Sequence, residues 1–214
     1  MTTVDIIQDD CINYFAHIRN DQFDATITDP PYGINENHKK NESRGNRIGV
    51  KDYGEYDWDK ERVPSAYIHE ILRISKQQVI FGGNYYADLL PPSSSWIVWD
   101  KLNSGDFADC ELAWTSHKKA VRKFTYCWNG FIKQHPEERF HPTQKPLSLM
   151  VWILENYTSV GDTIIDPFAG SGTTGVAAII TGRNAVLIEK DSNNCDIIRR
   201  RIGYAQQQQP LFTL

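Results

Sequence analysis

Long apolar runs, paired cysteines and clustered histidines are scarce in this chain of 214 residues, and each absence excludes a class of protein. No apolar run approaches the roughly 20 residues of a membrane span, and the N-terminus lacks a signal-peptide pattern. We therefore expect no membrane contact and a cytoplasmic location. The four cysteines are scattered, which indicates reduced thiols, and neither they nor the histidines show metal-ligand spacing, so no metal is expected.

The net charge of −4 at first argues against a nucleic-acid partner, but basic residues concentrate in two runs. The distribution of charge matters more for nucleic-acid binding than its sum. A solvated surface is the alternative for either run taken alone. The candidate contact residues are Lys39, Lys40, Arg44, Arg47, Lys118, Lys119, Arg122 and Lys133.

Apolar β-branched runs alternate with helical patterns along the chain, which predicts an α/β fold with a doubly wound, mostly parallel sheet. Strands are predicted at residues 4–7, 23–28, 79–81, 95–99, 163–165 and 184–188. Helices are predicted at residues 11–18, 65–74, 147–157 and 175–180, with another near the C-terminus. Residues 111–115 and 122–128 are expected to pair as a hairpin, a short helix is expected before residue 91, and residues 206–209 are expected to fray.

The segment Asp29-Pro30-Pro31-Tyr32 directly follows the predicted strand at residues 23–28. Two consecutive prolines fix φ at roughly −65° and remove two backbone donors, so the chain leaves the sheet in a fixed shape. The turn presents a carboxylate, carbonyls and an aromatic ring. Such a site can accept hydrogen bonds from an exocyclic amine and stack a flat base. Taken alone, the segment also fits a simple strand-terminating turn.

A glycine-containing loop lies far downstream, between the predicted strand at 163–165 and the predicted helix at 175–180. This order of strand, glycine turn and helix lets a backbone approach a nucleotide-like ligand closely. Glu189 ends the next strand, where an acidic side chain can accept hydrogen bonds from ribose hydroxyls. The loop lacks the ending of a phosphate-binding loop, which favours a nucleoside of modest charge such as S-adenosylmethionine.

Together and in this order, the two motifs resemble those of the DNA amino-methyltransferases that modify adenine N6 or cytosine N4. More narrowly, they resemble the permuted beta group, in which the catalytic motif precedes the glycine loop. Residues 6–11, 141–146 and 189–191 also match, and the resemblance spans about residues 4–203. The chain departs from the family pattern at Asp9-Asp10, where the family usually has Gly-Asp.

The resemblance implies a single Rossmann-like, circularly permuted methyltransferase domain with a small target-recognition insertion. Its catalytic half would cover residues 1–117, the recognition segment 118–140, the cofactor half 141–204 and a polar tail 205–214. The implied catalytic residues are Asp29, Pro30, Pro31 and Tyr32. The implied cofactor-binding residues are Asp10, Cys11, Asp29, Thr143, Lys145, Asp166, Pro167, Phe168, Ala169, Gly170, Ser171, Gly172, Thr173, Glu189 and Lys190.

The implied reaction is methyl transfer from S-adenosylmethionine to an exocyclic amine of DNA, in a bacterial, archaeal or phage-infected cell. Aspartate before the two prolines favours adenine N6, and cytosine N4 is the alternative. Methylation of RNA or a protein amide, or a catalytically silent nucleic-acid-binding module, are further alternatives. None of the cysteines precedes a proline, which excludes the cytosine C5 family. The short recognition segment leaves open a homodimer that shares DNA contacts.

Overall fold

The protein is described from a computed structural model that covers residues 2–34, 61–102, 108–129, 132–133, 140 and 144–208. The strands in these ranges are β1 (Val4–Gln8), β2 (Phe23–Thr28), β3 (Ser75–Phe81), β4 (Trp96–Asp100), β5 (Cys110–Thr115), β6 (Arg122–Thr125), β7 (Trp128–Asn129), β8 (Ile132–Lys133), β9 (Thr163–Asp166) and β10 (Asn184–Glu189). The helices are α1 (Cys11–Phe15), α2 (Ser65–Ile74), α3 (Leu147–Tyr157), α4 (Thr173–Thr181) and α5 (Ser192–Gln208). None of these helices has the length and apolar character needed to cross a membrane.

Eight of the strands form one sheet in the order β1-β10-β9-β2-β3-β5-β4-β6. β5 runs antiparallel to both of its neighbours, and the other adjacent pairs in this sheet are parallel. β7 and β8 form a separate antiparallel pair. The prediction of a doubly wound, mostly parallel α/β sheet is therefore confirmed.

Alternating side chains of the central strands bury the sheet on both faces. In β9, for example, Ile164 belongs to the core cluster under α3, α4 and α5, whereas Ile165 belongs to the cluster under α1 and α2. Both side chains are 0% exposed. Burial on both faces explains why these strands are nearly continuous apolar runs in the sequence.

The predicted hairpin between residues 111–115 and 122–128 is wrong. β4 lies between β5 and β6, pairing antiparallel with the first and parallel with the second. β5 bonds to β3 on its other edge, so the edge of β4 remains for β6. Each segment was correctly expected to contain a strand, but pairing depends on a third strand that precedes both.

Two local expectations at helices also need correction. α5 extends to Gln208, so Gln206 to Gln208 continue the helix instead of fraying. Glutamine is a good helix former, and the packed Ile198 and Ile202 anchor the preceding turns. Before Pro91, the expected short helix is a single 3-10 turn at Gly83–Tyr85.

Candidate active site

The ends of β2 and β9 meet at the point where the strand order of the sheet reverses. The chain leaves β2 through α2 toward β3 on one side, and leaves β9 through α4 toward β10 on the other. The Thr28 hydroxyl donates to the Asp166 carboxylate across this boundary at 2.9 Å. Ligands of doubly wound sheets bind in the crevice at such a switch point. The structure thus brings the two sequence motifs, 138 residues apart at this contact, together at the carboxyl ends of the parallel strands.

Asp29 lies one residue past the end of β2 and is held by two side chains. The Tyr32 hydroxyl donates to its Oδ1 atom. The Lys145 ammonium donates to its Oδ2 atom at 2.6 Å. Lys145 is buried, with 9% of its surface exposed, so its charge depends on nearby carboxylates. Both oxygens of the predicted catalytic carboxylate therefore already have donors from within the protein.

Aromatic residues after β3 hold the proline turn and the Tyr32 ring. The ring stacks on that of Tyr85, with centroids 4.9 Å apart and planes inclined by 16°. The Tyr86 hydroxyl donates to the Pro31 carbonyl. Gly82 lies against the edge of the Tyr32 ring, where a Cβ atom would come within 2.1 Å of Cε1. One face of the predicted base-stacking ring is thus packed by the protein itself.

Lys145 also contacts a carboxylate that the sequence did not point to. Its ammonium lies 3.1 Å from Glu111 Oε2. The other oxygen of Glu111 forms an ion pair with Lys101, just beyond the end of β4. Asp29, Lys145, Glu111 and Lys101 therefore form a row of charges that alternate in sign.

The charges in this row shift one another's protonation. Burial raises the pKa of the Asp29 carboxyl, against the opposing effect of the Lys145 ammonium. For Lys145, burial favours the neutral amine, but Asp29 and Glu111 outweigh it and raise the pKa. Burial likewise disfavours ionised Glu111, yet Lys145 and Lys101 lower its pKa to about 2. The two carboxylates are thus compensated chiefly by Lys145.

The glycine loop is shaped by Asp166, whose carboxylate is buried. Oδ1 accepts from the Phe168 amide at 3.2 Å, in addition to Thr28, and Oδ2 accepts from the Thr174 hydroxyl at 2.5 Å. Burial raises the pKa of Asp166 to about 6, although these hydrogen bonds oppose the rise. These contacts connect the loop with both β2 and the start of α4.

The backbone of the loop turns through two glycines with positive φ, +53° at Gly170 and +76° at Gly172. A Cβ atom at Gly170 would have no atom within 4 Å, so the loop borders open space at this point. At Gly172 a Cβ atom would come within 3.0 Å of Ile198, which packs α5 against the loop. Pro167, Ala169, Ser171 and Thr173 are buried beneath the turn.

Glu189, at the end of β10, bonds to the glycine loop. Its Oε2 accepts from the Gly170 amide at 2.9 Å, and its Oε1 accepts from the Asp191 amide at 2.9 Å. Burial raises the pKa of the carboxyl, while these amides oppose the rise. Lys190, the next residue, is exposed. The predicted ribose acceptor therefore lies against the glycine loop.

Asp10 lies near Glu189 because β1 pairs with β10, with Gln8 opposite Glu189. Asp10 caps α1 by accepting from the Ile12 amide at 3.1 Å, and it also accepts from the Tyr67 hydroxyl at 3.0 Å. Cys11, the first residue of α1, is buried at 3% exposure. The structure therefore brings the predicted adenine side of the site next to the predicted ribose acceptor.

Tyr67, on α2, was not found from the sequence. Its ring lies 6.2 Å from that of Phe168, centroid to centroid, so the two rings border the same region as Asp10. Nothing in the sequence distinguishes Tyr67 from the other apolar positions of α2.

Gln144 and Arg201 support the loop from below. Arg201 Nη1 donates to the Ser171 carbonyl at 2.6 Å and to the Thr173 hydroxyl at 3.1 Å. Gln144 Oε1 accepts from the Ser171 hydroxyl at 3.2 Å and from the Phe140 amide at 2.9 Å. Gln144 adjoins Lys145, so one short segment contacts both the loop and Asp29.

Three of the predicted DNA-contact residues do not lie beside Asp29. Lys118 and Lys119 follow the end of β5. Because β5 is antiparallel, they lie at the amino ends of the parallel strands, away from Asp29. Lys119 donates to the Asn156 carbonyl at 2.5 Å. Arg122 begins β6, which is parallel to β4, so it also lies at these amino ends.

The other predicted DNA-contact residues are Lys133 and four residues of the first basic run. The backbone of Lys133 lies in β8. Outside the described residues lie Lys39, Lys40, Arg44 and Arg47, together with Thr143 from the predicted cofactor set.

The sheet has a Rossmann-like architecture in which the glycine loop and the Asp29 turn lie side by side at the carboxyl ends of β9 and β2. A family model described as DNA methylase, of the N6/N4 class, matches residues 91–200. The chain belongs to this family of DNA methylases.

Curated relatives match over most of the chain. The Type II methyltransferase M2.MboI of Moraxella bovis is 26% identical over 239 residues, which cover 92% of this chain and 86% of that protein. The Type II methyltransferase M.HinfI of Haemophilus influenzae is 27% identical, covering 92% of this chain and 67% of its own length.

Solved methyltransferase structures share the fold. The complex of M1.HpyAVI with SAM matches with a TM-score of 0.60 and 23% identity, over 93% of this chain and 100% of that one. The cytosine-N4-specific PvuII DNA methyltransferase matches with a TM-score of 0.62 and 12% identity, over 97% of this chain and 93% of that one.

The contact between Gly82 and Tyr32 can be tested with a matched pair of substitutions. Gly82 and Gly161 both have positive φ, +63° and +88°, but a Cβ atom at Gly161 would have no atom within 4 Å. We expect Gly161→Ala to lower the free energy of unfolding by about 1–2 kcal/mol from backbone strain alone. Gly82→Ala should lower it by roughly a further 1–3 kcal/mol because the Tyr32 ring must move. Equal losses in urea denaturation would contradict the packing described for Tyr32.

Proposed function

We propose that the protein is a site-specific DNA methyltransferase that transfers a methyl group from S-adenosylmethionine to N6 of adenine. The observation that carries this proposal is the contact between Thr28 and Asp166, which joins the ends of the two motif-bearing strands at 2.9 Å. A cofactor bound against the glycine loop and a base bound at Asp29 would thereby share one cleft. The order of the motifs, catalytic first, supports assignment to the permuted beta group.

The residues around the loop fit S-adenosylmethionine. Open space beside Gly170 leaves room for a ligand to approach the backbone. Glu189 would accept from the ribose hydroxyls, and Asp10 and Phe168 would border the adenine. The bound cofactor would supply an electrophilic methyl group on a sulfonium. Asp166, whose carboxylate is occupied by Thr28, Phe168 and Thr174, would act by shaping the loop.

Asp29 would orient the amine that accepts the methyl group. Its carboxylate would accept one amine hydrogen and the Pro30 carbonyl the other, which disfavours conjugation of the nitrogen lone pair with the ring. The lone pair can then point toward the cofactor. This is catalysis by positioning and by electrostatic complementarity to a nitrogen that becomes positive.

The base must first displace one of the two side chains that donate hydrogen bonds to Asp29. Tyr32 and Lys145 both donate to Asp29 in the present structure. We propose that the amine takes the place of the Tyr32 hydroxyl, and that the ring of Tyr32 then stacks against the base. Flipping a base out of the duplex costs a few kcal/mol, which this stacking and the edge hydrogen bonds would offset.

Adenine is the favoured base because aspartate precedes the two prolines, as in the adenine enzymes that the motif resembles. Cytosine N4 is the second candidate, since the PvuII enzyme, which is cytosine-N4-specific, has the same fold. At 12% identity that likeness concerns the fold alone.

The substrate would be DNA, and the duplex would approach the edge that carries Asp29. Lys118, Lys119 and Arg122 start from the other edge and are therefore weaker candidates for contacts close to the flipped base. A chromosomal DNA substrate would place the enzyme in the cytoplasm of a prokaryotic cell.

The proposal is tested by expression in a host that lacks DNA methylation, followed by single-molecule sequencing of its genome. We expect N6-methyladenine at one short recurring sequence. N4-methylcytosine at a recurring sequence would instead establish the second candidate. If purified protein releases no S-adenosylhomocysteine on any unmethylated DNA, the enzyme assignment fails in favour of a binding module.

Asp29→Ala should separate catalysis from cofactor binding. We expect methyl transfer to fall by about 10³-fold or more, because the amine loses its charged acceptor. The dissociation constant for S-adenosylmethionine, measured by calorimetry, should stay within about threefold, because the loop and Glu189 are untouched. Asp196→Ala, at an exposed position of α5, is the matched control and should retain full activity. A variant that loses cofactor binding yet keeps partial activity would show that Asp29 has a different role.

Glu189→Ala should weaken cofactor binding. Loss of a charged acceptor costs about 1.5–3 kcal/mol, so we expect the dissociation constant to rise by roughly 10- to 100-fold in calorimetry. Glu155→Ala, at an exposed position of α3, should leave it unchanged. An unaltered dissociation constant for the Glu189 variant would remove this residue from the cofactor site.

A further inference from the structure

A row of four charged side chains, here called the charge row, runs from the end of β2 to the end of β4 and the start of β5. It consists of Asp29, Lys145, Glu111 and Lys101. Lys145 lies 2.6 Å from Asp29 and 3.1 Å from Glu111, and Glu111 also pairs with Lys101. Its carboxylates and ammonium groups alternate, so the formal charges of the row cancel.

The four side chains come from four separate parts of the fold. Asp29 follows β2, Lys101 follows β4, Glu111 is the second residue of β5, and Lys145 precedes α3. The side chain of Lys145 is 10% exposed, and those of Asp29 and Glu111 are 23% and 26% exposed. Bringing partly buried charges together in this way requires good compensation, because each loses hydration.

We propose that Glu111 is a positioning residue that holds the Lys145 ammonium against Asp29, and that the charge row keeps Asp29 ionised for the reaction. This inference rests on the proposed function in taking Asp29 as the acceptor of the amine. It gives Glu111 and Lys101 roles that act through Lys145 and not through the substrate.

The surroundings of Asp29 show why a cation is needed there. Tyr32 and Lys145 contact it, whereas Glu111 and Asp166 are further carboxylates whose negative charge acts on it. Among the residues that the structure describes, Lys145 is the cation in contact with Asp29, so its loss would leave acidic neighbours there. Like charges and desolvation both favour the protonated acid, which would no longer attract an amine hydrogen as a carboxylate does.

Glu111 prevents Lys145 from forming a closed pair with Asp29 alone. The ammonium donates to Asp29 at 2.6 Å and forms an ion pair with Glu111, whose Oε2 atom lies 3.1 Å away, so it lies between two carboxylates. Lys101 neutralises the charge that Glu111 brings, and its ammonium also lies 5.0 Å from the centre of the Trp99 ring. The row therefore supplies one fixed cation to Asp29 without adding net charge to the cleft.

The test is a double-substitution cycle with Lys145→Met, Glu111→Gln and the combined variant. Single-turnover methyl transfer at saturating cofactor is measured as a function of pH. Activity requires ionised Asp29, so it is lost as pH falls through the pKa of that group. Lys145→Met should move this acidic limb upward by about one to two pH units. Adding Glu111→Gln should move it back toward its original position and restore activity at pH 7 several-fold.

The rescue tests whether Lys145 acts on Asp29 through its charge, and Glu111→Gln alone tests positioning. If Glu111 holds the ammonium against Asp29, the single variant should lower the rate at pH 7 even though it removes a negative neighbour of Asp29, and an unchanged rate would overturn that role. If Lys145 acts only by binding cofactor or by packing, removal of a second charged residue will not restore activity. A double variant no more active than Lys145→Met, with an unshifted acidic limb, would overturn the proposal. Glu155→Gln serves as the control and should leave the profile unchanged. Should Lys145→Met fail to fold, Lys101→Met and its combination with Glu111→Gln provide the same comparison, with the same directions expected.

A readout that needs no activity separates this inference from the proposed function. The carboxyl carbon of Asp29 can be followed by NMR titration of protein labelled at aspartate, assigned by its absence in Asp29→Asn. Lys145→Met should raise the pKa of Asp29, and Glu111→Gln in that background should lower it again. If these shifts occur but wild-type protein methylates no DNA, the proposed function fails and the charge row stands. If the wild type methylates DNA but the pKa of Asp29 is indifferent to Lys145 and Glu111, the proposed function stands and the charge row fails.

Discussion

The pairing of β2 with β9 is the constraint on which the candidate site depends. These two strands come from opposite halves of the chain and bring Asp29 and the glycine loop to the same edge. The register sets Thr26 opposite Ile165, so the two strands end within one residue of each other and Thr28 reaches Asp166. Because the side chains below that contact are buried on both faces of the sheet, neither strand can slip without exposing its core residues.

The edge of the sheet concentrates acidic groups that would repel one another without compensation. Asp166 is satisfied by hydroxyl and amide donors, and Glu189 by backbone amides, whereas Asp29 depends on an ammonium. Under the proposed function these three modes of compensation would suit three tasks, namely shaping a loop, accepting from ribose hydroxyls and attracting a nitrogen that becomes positive. The distinction follows from what each carboxylate contacts, since burial raises the pKa of all three.

Much of the fold was predictable because turn residues and hydrophobic periodicity agree. β2, α2 and α3 have the predicted bounds, and the last two each begin directly after a proline. The two motifs were found because each directly follows a strand. Glu111 was missed because β5 is antiparallel to its neighbours. The start of β5, and not its end, therefore lies beside the carboxyl ends of the parallel strands. A signal was present, since a glutamate beside the buried run that ends β5 calls for a partner, but the identity of that partner depends on tertiary pairing.

The internal donors of Asp29 change what an arriving base has to displace. A carboxylate open to solvent would need to shed tightly held water before it could accept from a nitrogen. Here the Tyr32 hydroxyl and the Lys145 ammonium each donate to one of its oxygens and 23% of the side chain stays exposed, so folding already replaces part of the water around this carboxylate. Under the proposed function, binding of a substrate amine would then exchange one hydrogen-bond arrangement of Asp29 for another, and shape and donor direction would contribute to which amines bind.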